Sequence, residues 1–319
     1  MPHPHPPHPR DAVVDVVEFT DPISPWAWGT EPLLRWARRH YGPALRWRRA
    51  YAVAIDRLAD AHPGRDPVRD TEAFRAEWLA VARHTEAPVP VRLERMSRST
   101  RLAAQAARAA ERQVTTERPD AADRTLRRLR EAVLVHGRPI DTRDRLLDAL
   151  AGVQGLDLER LLGDLETSSI VESVQADRDE SRRPHPAVIG RQGRGPYPGA
   201  AEPDGLHLRY ALPTLLLHGP AGDAVVAGWS TPDALAAAIE GVGAPAADLS
   251  VTLDPDDALA RYGTLTRGDV RLSTGGHAPR DAVRIETATS PLWVHPEEVG
   301  PIGGVVGRRV REAAGAAAD

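Results

Sequence analysis

Asp21-Pro22-Ile23-Ser24-Pro25-Trp26-Ala27-Trp28-Gly29-Thr30-Glu31-Pro32 is the stretch on which the reading of the fold turns. It follows an apolar run, Val13-Val14-Asp15-Val16-Val17-Glu18-Phe19, that reads as a strand. Ser24 before Pro25 starts a helix. The serine oxygen can accept from an N–H of the first turn, and proline has no N–H to waste there. Trp28, Leu33, Leu34, Trp36 and Ala37 then recur at spacings near three and four, so the helix should run to His40-Tyr41-Gly42-Pro43. The next segment, Leu45 to Val53, alternates as a half-buried strand does. Trp28 and Trp36 are expected in the core, and Trp26 over any pocket at the turn.

The 319 residues contain no cysteine. That removes disulfides, thiolate zinc sites, iron–sulfur clusters and any protein thiol nucleophile. The 41 basic residues are all arginine, and a net charge of −4 speaks against a general polyanion binder. Charged residues at 27% and hydrophobic residues at 41% place the chain among globular proteins. Residues 1–11 are rich in proline and histidine and are expected to be a disordered tail. His3, His5 and His8 could approach a metal, but Pro2 lacks the amide N–H that an amino-terminal copper or nickel site deprotonates, so no metal is expected. With no signal-peptide core and no apolar run long enough to span a bilayer, the expected location is the cytoplasm, without a membrane partner.

Residues 12–55 form the first strand–helix–strand unit, and 56–183 read as helix throughout. The helical candidates are Ala73–Thr85, Ser97–Thr115, Ala121–Val135, Thr142–Gly152, a helix from Asp157, and Ile170–Asp177. The run Arg124–Arg130 is expected to be a solvated arginine face. Residues 184–205 read as a loop rich in Pro, Gly and Arg, in which Arg191 and Arg194 could grip an anion. Structure resumes over 206–242 with a strand after Pro213, a Gly219-Pro-Ala-Gly222 turn that makes a hairpin, and a helix capped at Ser230-Thr231-Pro232. Residues 246–319 look like a separate small module. Its candidate helices, Asp254–Tyr262, Thr266–Leu272 and Pro279–Thr289, before a strand at Pro291–His295, are in winged-helix order. Asp281 and Glu286 beside Arg280 and Arg284 leave no basic stripe, so nucleic acid is not expected as a partner.

This order, with Ser24-Pro25-Trp26-Ala27 at the turn, Leu212-Pro213-Thr214 ahead of an apolar strand, and Gly155-Leu156-Asp157 near the end of the helices, resembles the DsbA-like branch of the thioredoxin superfamily. Trp26-x-Trp28-Gly29-x-Glu31-Pro32 looks most like its FrnE-type members. The resemblance covers roughly residues 12–242. It implies an α/β fold, a thioredoxin fold interrupted by an all-helical insertion domain, followed by the small C-terminal module. It also implies a cis peptide bond at Pro213. The family's Cys-x-x-Cys is replaced by Ser24 and Ala27, so thiol–disulfide exchange by the chain's own residues is excluded.

Ser24-Pro25-Trp26-Ala27-Trp28 also resembles the turn of kappa-class glutathione transferases and 2-hydroxychromene-2-carboxylate isomerases. That resemblance implies a thiol-cofactor-dependent isomerase or transferase. Ser24 would be its catalytic residue, donating a hydrogen bond to the thiolate of bound glutathione, mycothiol or a similar small thiol. Pro25, Trp26, Ala27, Leu212, Pro213, Ser230 and Thr231 would be ligand contacts. Those enzymes usually carry an aspartate where this chain has Ser230-Thr231-Pro232. The alternative is a catalytically silent relative that binds a peptide or partner protein in the groove beside Pro213.

Overall fold

The computed structural model describes residues 13–193 and 195–299, with the backbone of 308–309. The proline/histidine tail at 1–11 and Arg194 lie outside the described residues.

Strand β1 (Val14–Thr20) leads into α1 (Pro25–Tyr41) and back through β2 (Leu45–Tyr51). Ser24 caps α1, its Oγ accepting the Ala27 N–H at 3.2 Å. Gly42, at φ +46°, ends the helix with its N–H on the Arg38 carbonyl. Seven helices follow. They are α2 (Leu58–Ala61), α3 (Thr71–Thr85), α4 (Arg101–Glu111), α5 (Ala121–Leu134), α6 (Arg143–Leu150), α7 (Leu158–Asp164) and α8 (Ser168–Ser181). A short hairpin, β3 (Glu202–Asp204) and β4 (His207–Arg209), ends the stretch read as loop. Strands β5 (Thr214–Gly219) and β6 (Gly222–Ala227) and helix α9 (Pro232–Gly241) complete the first architecture.

The main sheet has the order β2-β1-β5-β6, with β1 parallel to β2 and the other pairs antiparallel. One face, with Val14, Val16, Leu215 and Leu217, packs on Leu33, Leu34 and Trp36 of α1 and on Leu235 and Ile239 of α9. The other buries Val17, Phe19, Ala50, Tyr210 and Leu212. The insertion has its own core, built on Phe74, Trp78, Leu126, Leu129, Val133 and Leu146, and Trp28 of α1 reaches into it. This is a thioredoxin fold with a helical insertion between β2 and β5, as the resemblance implies.

The C-terminal segment departs from expectation. Helices α10 (Pro255–Tyr262) and α11 (Arg267–Ser273) form as read. The expected third helix over 279–289 is instead a strand, β8 (Val283–Ile285). It pairs with β9 (Leu292–Val294), which also pairs with β7 (Thr264–Leu265), while β10 (Arg308–Arg309) adds to β8. The segment therefore runs helix, strand, helix, strand, strand, without the expected third helix. Val283 and Ile285 are β-branched and two apart, and the partner strand rewards that alternation. Nor does the module stand apart, because Val283, Leu292 and Val294 join the core of the insertion.

The arginine face of α5 is a second correction. Arg127, Arg128 and Arg130 are buried. Arg130 pairs with Glu31 at 2.7 Å and Arg128 with Glu298 at 2.5 Å, while Arg127 faces Glu31, Glu131 and Asp269. Their partners come from α1 and from the C-terminal module, so α5 is a charged seam between three parts of the chain.

Candidate functional site

The turn that carries Ser24 is held by Asp21. Its buried carboxyl accepts the N–H groups of Ile23 and Ala54, each at 2.9 Å, and the Thr100 hydroxyl at 2.8 Å. Burial pushes this carboxyl above its ordinary pKa, against the opposing pull of those donors. Asp21 thereby ties the end of β1 to the chain after β2 and to the start of α4. Nothing in the sequence alone assigns Asp21 that role.

Ser24, Pro25 and Trp26 are partly exposed at the head of α1, whereas Ala27 is fully buried. Leu212–Pro213 is a cis peptide bond, matching the resemblance. Ser24, Pro25, Trp26 and Leu212 border one cleft of about 360 Å³ between the end of the main sheet and the insertion. Its apolar wall is Ile23, Phe74, Trp78, Val81 and Met96. Its polar lining includes Asp60, Glu77, Glu202, Asp204 and Arg209. Each of these carboxylates already has an arginine: Asp60 has Arg57, Glu77 has Arg65, Glu202 has Arg209 and Asp204 has Arg182. His62 is held below its ordinary pKa by burial and by Arg65, so it adds no positive charge at neutral pH.

Tyr197, which the sequence reading passed over, is the dominant neighbour of the turn. Its ring lies flat on Trp26, 4.7 Å between centroids and 6° between planes. Its hydroxyl donates to Glu202 at 2.5 Å and accepts the Leu212 N–H at 3.3 Å. Its carbonyl accepts the Trp229 N–H at 2.9 Å. Burial, with Glu202 alongside, pushes the phenol well above its ordinary pKa, so it stays a protonated donor. The only sequence signal was an aromatic residue set in Pro196-Tyr197-Pro198-Gly199 within a polar loop.

Ser230 and Thr231 do not join Ser24 in this cleft. Thr231 caps α9, accepting the Ala234 N–H at 3.3 Å. Both residues line a separate cleft of about 330 Å³, with Trp229, Pro32, Leu33 and the α11 residues Gly268, Arg271 and Leu272. Arg191 is exposed and lines neither cleft. A further cavity of about 440 Å³ lies in the insertion beside Arg128, His136, Arg138 and Arg145, away from every site residue expected from the sequence. Among the described residues no group of three or more His, Asp or Glu is placed to hold a metal ion, and no helix is long and apolar enough to cross a membrane.

A family model described as Thioredoxin matches residues 18–182. The ClpXP adapter protein SpxH of Shouchella clausii (strain KSM-K16) is 26% identical over 174 residues, 53% of this chain and 53% of its own length. The chain thus spans about half the length of the curated relative it matches. A solved chain from Nitrosomonas europaea, assigned as a protein disulfide isomerase, aligns with a TM-score of 0.50 at 14% identity, over 72% of this chain and 96% of its own. The cytosolic disulfide reductase DsbM from Pseudomonas aeruginosa aligns with a TM-score of 0.47 at 19% identity, over 66% of this chain and 88% of its own. Structural likeness at such identity speaks to fold alone. The family match runs from β1 through the Ser24 turn to the end of the insertion, and by it the chain belongs to the thioredoxin family.

Proposed function

We propose that this protein is a catalytically silent, cytoplasmic member of its family that binds a polypeptide partner in the groove beside Pro213. One observation carries the reading. Among the residues lining the Ser24 cleft, Arg209 is the single guanidinium, and it is committed to Glu202 at 2.7 Å. A glutathione-type thiol would bring its carboxylates into a surface whose described residues offer them no unengaged guanidinium. A polypeptide segment presents neutral amides and apolar side chains, which suit the cleft's aromatic and apolar wall of Trp26, Phe74, Trp78 and Met96. That the SpxH relative is an adapter protein supports the same direction.

The test is site-specific cross-linking from a photoreactive amino acid at Trp26 in the full chain, with the exposed Arg191 as control position. A discrete protein adduct from position 26, absent from position 191, is the expected result. Equal adducts from both positions would sink the reading.

The second reading is the thiol-dependent isomerase or transferase. It is favoured by the 360 Å³ cleft beside Ser24 and by the Ser24 hydroxyl proton, which remains available to donate. Calorimetry with glutathione, mycothiol and bacillithiol decides it. Saturable binding lost in Ser24→Ala would establish it, and no binding to any of the three would end it.

A further inference from the structure

The contacts of Tyr197 are those a bound segment would make. A ring covers Trp26, an oxygen meets the Leu212 N–H, and a backbone carbonyl meets the Trp229 N–H. The backbone lies close as well. A Cβ on Gly199 would collide with Ala227 and Gly228, and one on Gly228 would collide with the Tyr197 carbonyl and Gly199. Both glycines have positive φ, +77° and +72°, so neither position tolerates a side chain easily. Tyr197 and Gly199 are therefore seated against the chain at and just beyond the end of β6, where a bound segment would lie.

We infer that residues 196–201 are an internal occupant of the groove, and that the partner segment which exchanges with them carries an aromatic side chain for the face of Trp26. The inference rests on the polypeptide-binding reading above. An external segment that merely repeats these contacts gains nothing over the strap, whose local concentration is on the order of millimolar. The adjoining cleft supplies the difference. Ile23, Phe74, Trp78, Val81 and Met96 line space that a longer side chain or a flanking apolar residue can reach. The partner is thus an extended segment with an aromatic anchor and an apolar neighbour. Its binding uncovers Tyr197.

The probe is a fluorescein-labelled peptide of the strap itself, Gly-Pro-Tyr-Pro-Gly-Ala-Ala (residues 195–201), added to the full chain and followed by fluorescence polarisation. Tyr197→Ala is expected to bind the peptide at least tenfold more tightly than the parent, and a further Trp26→Ala to cancel the gain. Equal affinity for parent and Tyr197→Ala, or no saturable binding to Tyr197→Ala, overturns the inference. Should Tyr197→Ala not fold, Tyr197→Phe keeps the ring and removes only the hydroxyl. Hydrogen exchange at the Leu212 amide should then rise at least tenfold while Leu215 and Leu217 keep their protection. Unchanged exchange at Leu212 overturns the inference. Because the peptide assay needs no cellular partner, a failed cross-link at Trp26 with intact peptide exchange would remove the partner reading alone.

Discussion

Arg127 and Asp269, 142 residues apart in the chain, meet at 3.3 Å where both side chains are shut off from solvent. Arg127 also reaches Glu131 at 2.8 Å, the Thr264 hydroxyl at 2.8 Å and Glu31 at 3.1 Å, and its guanidinium lies 4.5 Å above the Trp28 ring. Arg35 joins Glu31 at 3.0 Å and Asp269 at 3.5 Å. Three guanidiniums, of Arg35, Arg127 and Arg130, thus face three carboxylates, of Glu31, Glu131 and Asp269. Burial alone would raise the Glu31 carboxyl, but Arg127, Arg35 and Arg130 outweigh it and hold it well below the usual carboxylate range. The network joins α1, the insertion and the C-terminal module, so the module is a structural partner of the helix that Ser24 caps.

Removing one member of such a network leaves a buried charge uncompensated. Asp269→Asn keeps the shape but withdraws one charge from two arginines and weakens the capping box it forms with Thr266. Loss of a partner in a buried pair costs about 3–5 kcal/mol. Urea denaturation should show an unfolding free energy lower by an amount of that order in Asp269→Asn, with a lower midpoint. An unchanged midpoint would mean that the module contributes little to the stability of the helix beneath it.

His136 gives the fold a pH dependence of known sign. Burial holds its pKa at about 4, below the ordinary 6.5, with Arg138 and Arg128 adding to the depression and Glu131 opposing it. Between these values the unfolded chain binds a proton that the folded chain refuses, so stability falls as pH drops from 6.5 towards 4. The full shift corresponds to about 3 kcal/mol, an upper bound for a side chain with some solvent contact. Denaturation at pH 7 and pH 4.5 should show the parent losing more stability than His136→Gln. Parallel losses in the two proteins would assign the acid sensitivity elsewhere.

The sequence was most legible where a local rule fixes one conformation. Ser24-Pro25 announces a helix start, Gly42 its end, and the heptad-like run of Leu126, Leu129 and Val133 a helix. What it hid depends on partners far along the chain. An arginine-rich α5 reads as solvated because periodicity cannot reveal that Glu31 and Asp269 come to meet it from positions 96 and 142 residues away. Tyr197 was lost for the same reason. Its meaning lies in Trp26 and Leu212, and nothing in Pro-Tyr-Pro-Gly names them. The strand at Val283–Ile285 took the place of a helix because β9 was available to pair with it.

Gly29 lies inside α1, where glycine costs a helix about 1 kcal/mol relative to alanine. Its role is proximity. A Cβ there would collide with the Thr85 side chain at the end of α3. Thr85 is buried and its hydroxyl is already bonded to the Val81 carbonyl at 3.2 Å, so it has little freedom to yield. Overpacking of this kind costs about 1–3 kcal/mol, which exceeds the gain in helix propensity over most of that range. Gly29→Ala should therefore be less stable than the parent by up to roughly 2 kcal/mol in denaturant titration. A more stable Gly29→Ala would show that α3 shifts freely on α1.

The turn retains the electrostatics of a thiol site although it has no thiol. Ser24 caps a helix of 17 residues with no acidic residue in its first turn, so the field there favours an anion. A cysteine introduced as Ser24→Cys should titrate below the ordinary value of about 8.5, by roughly one unit or more. Thiolate absorbance at 240 nm against pH measures it directly, and a value at or above 8.5 would show that the covering Tyr197 and Trp26 rings outweigh the helix. Ala27 stands one helical turn on, within reach of a disulfide. The pair Ser24→Cys, Ala27→Cys should then oxidise and, with dithiothreitol supplying the electrons, catalyse reduction of a disulfide substrate such as insulin. If that pair forms its disulfide but stays inactive, and adding Tyr197→Ala restores turnover, the strap is what separates this turn from its substrates. If turnover is absent in every combination, the scaffold has lost more than two sulfur atoms.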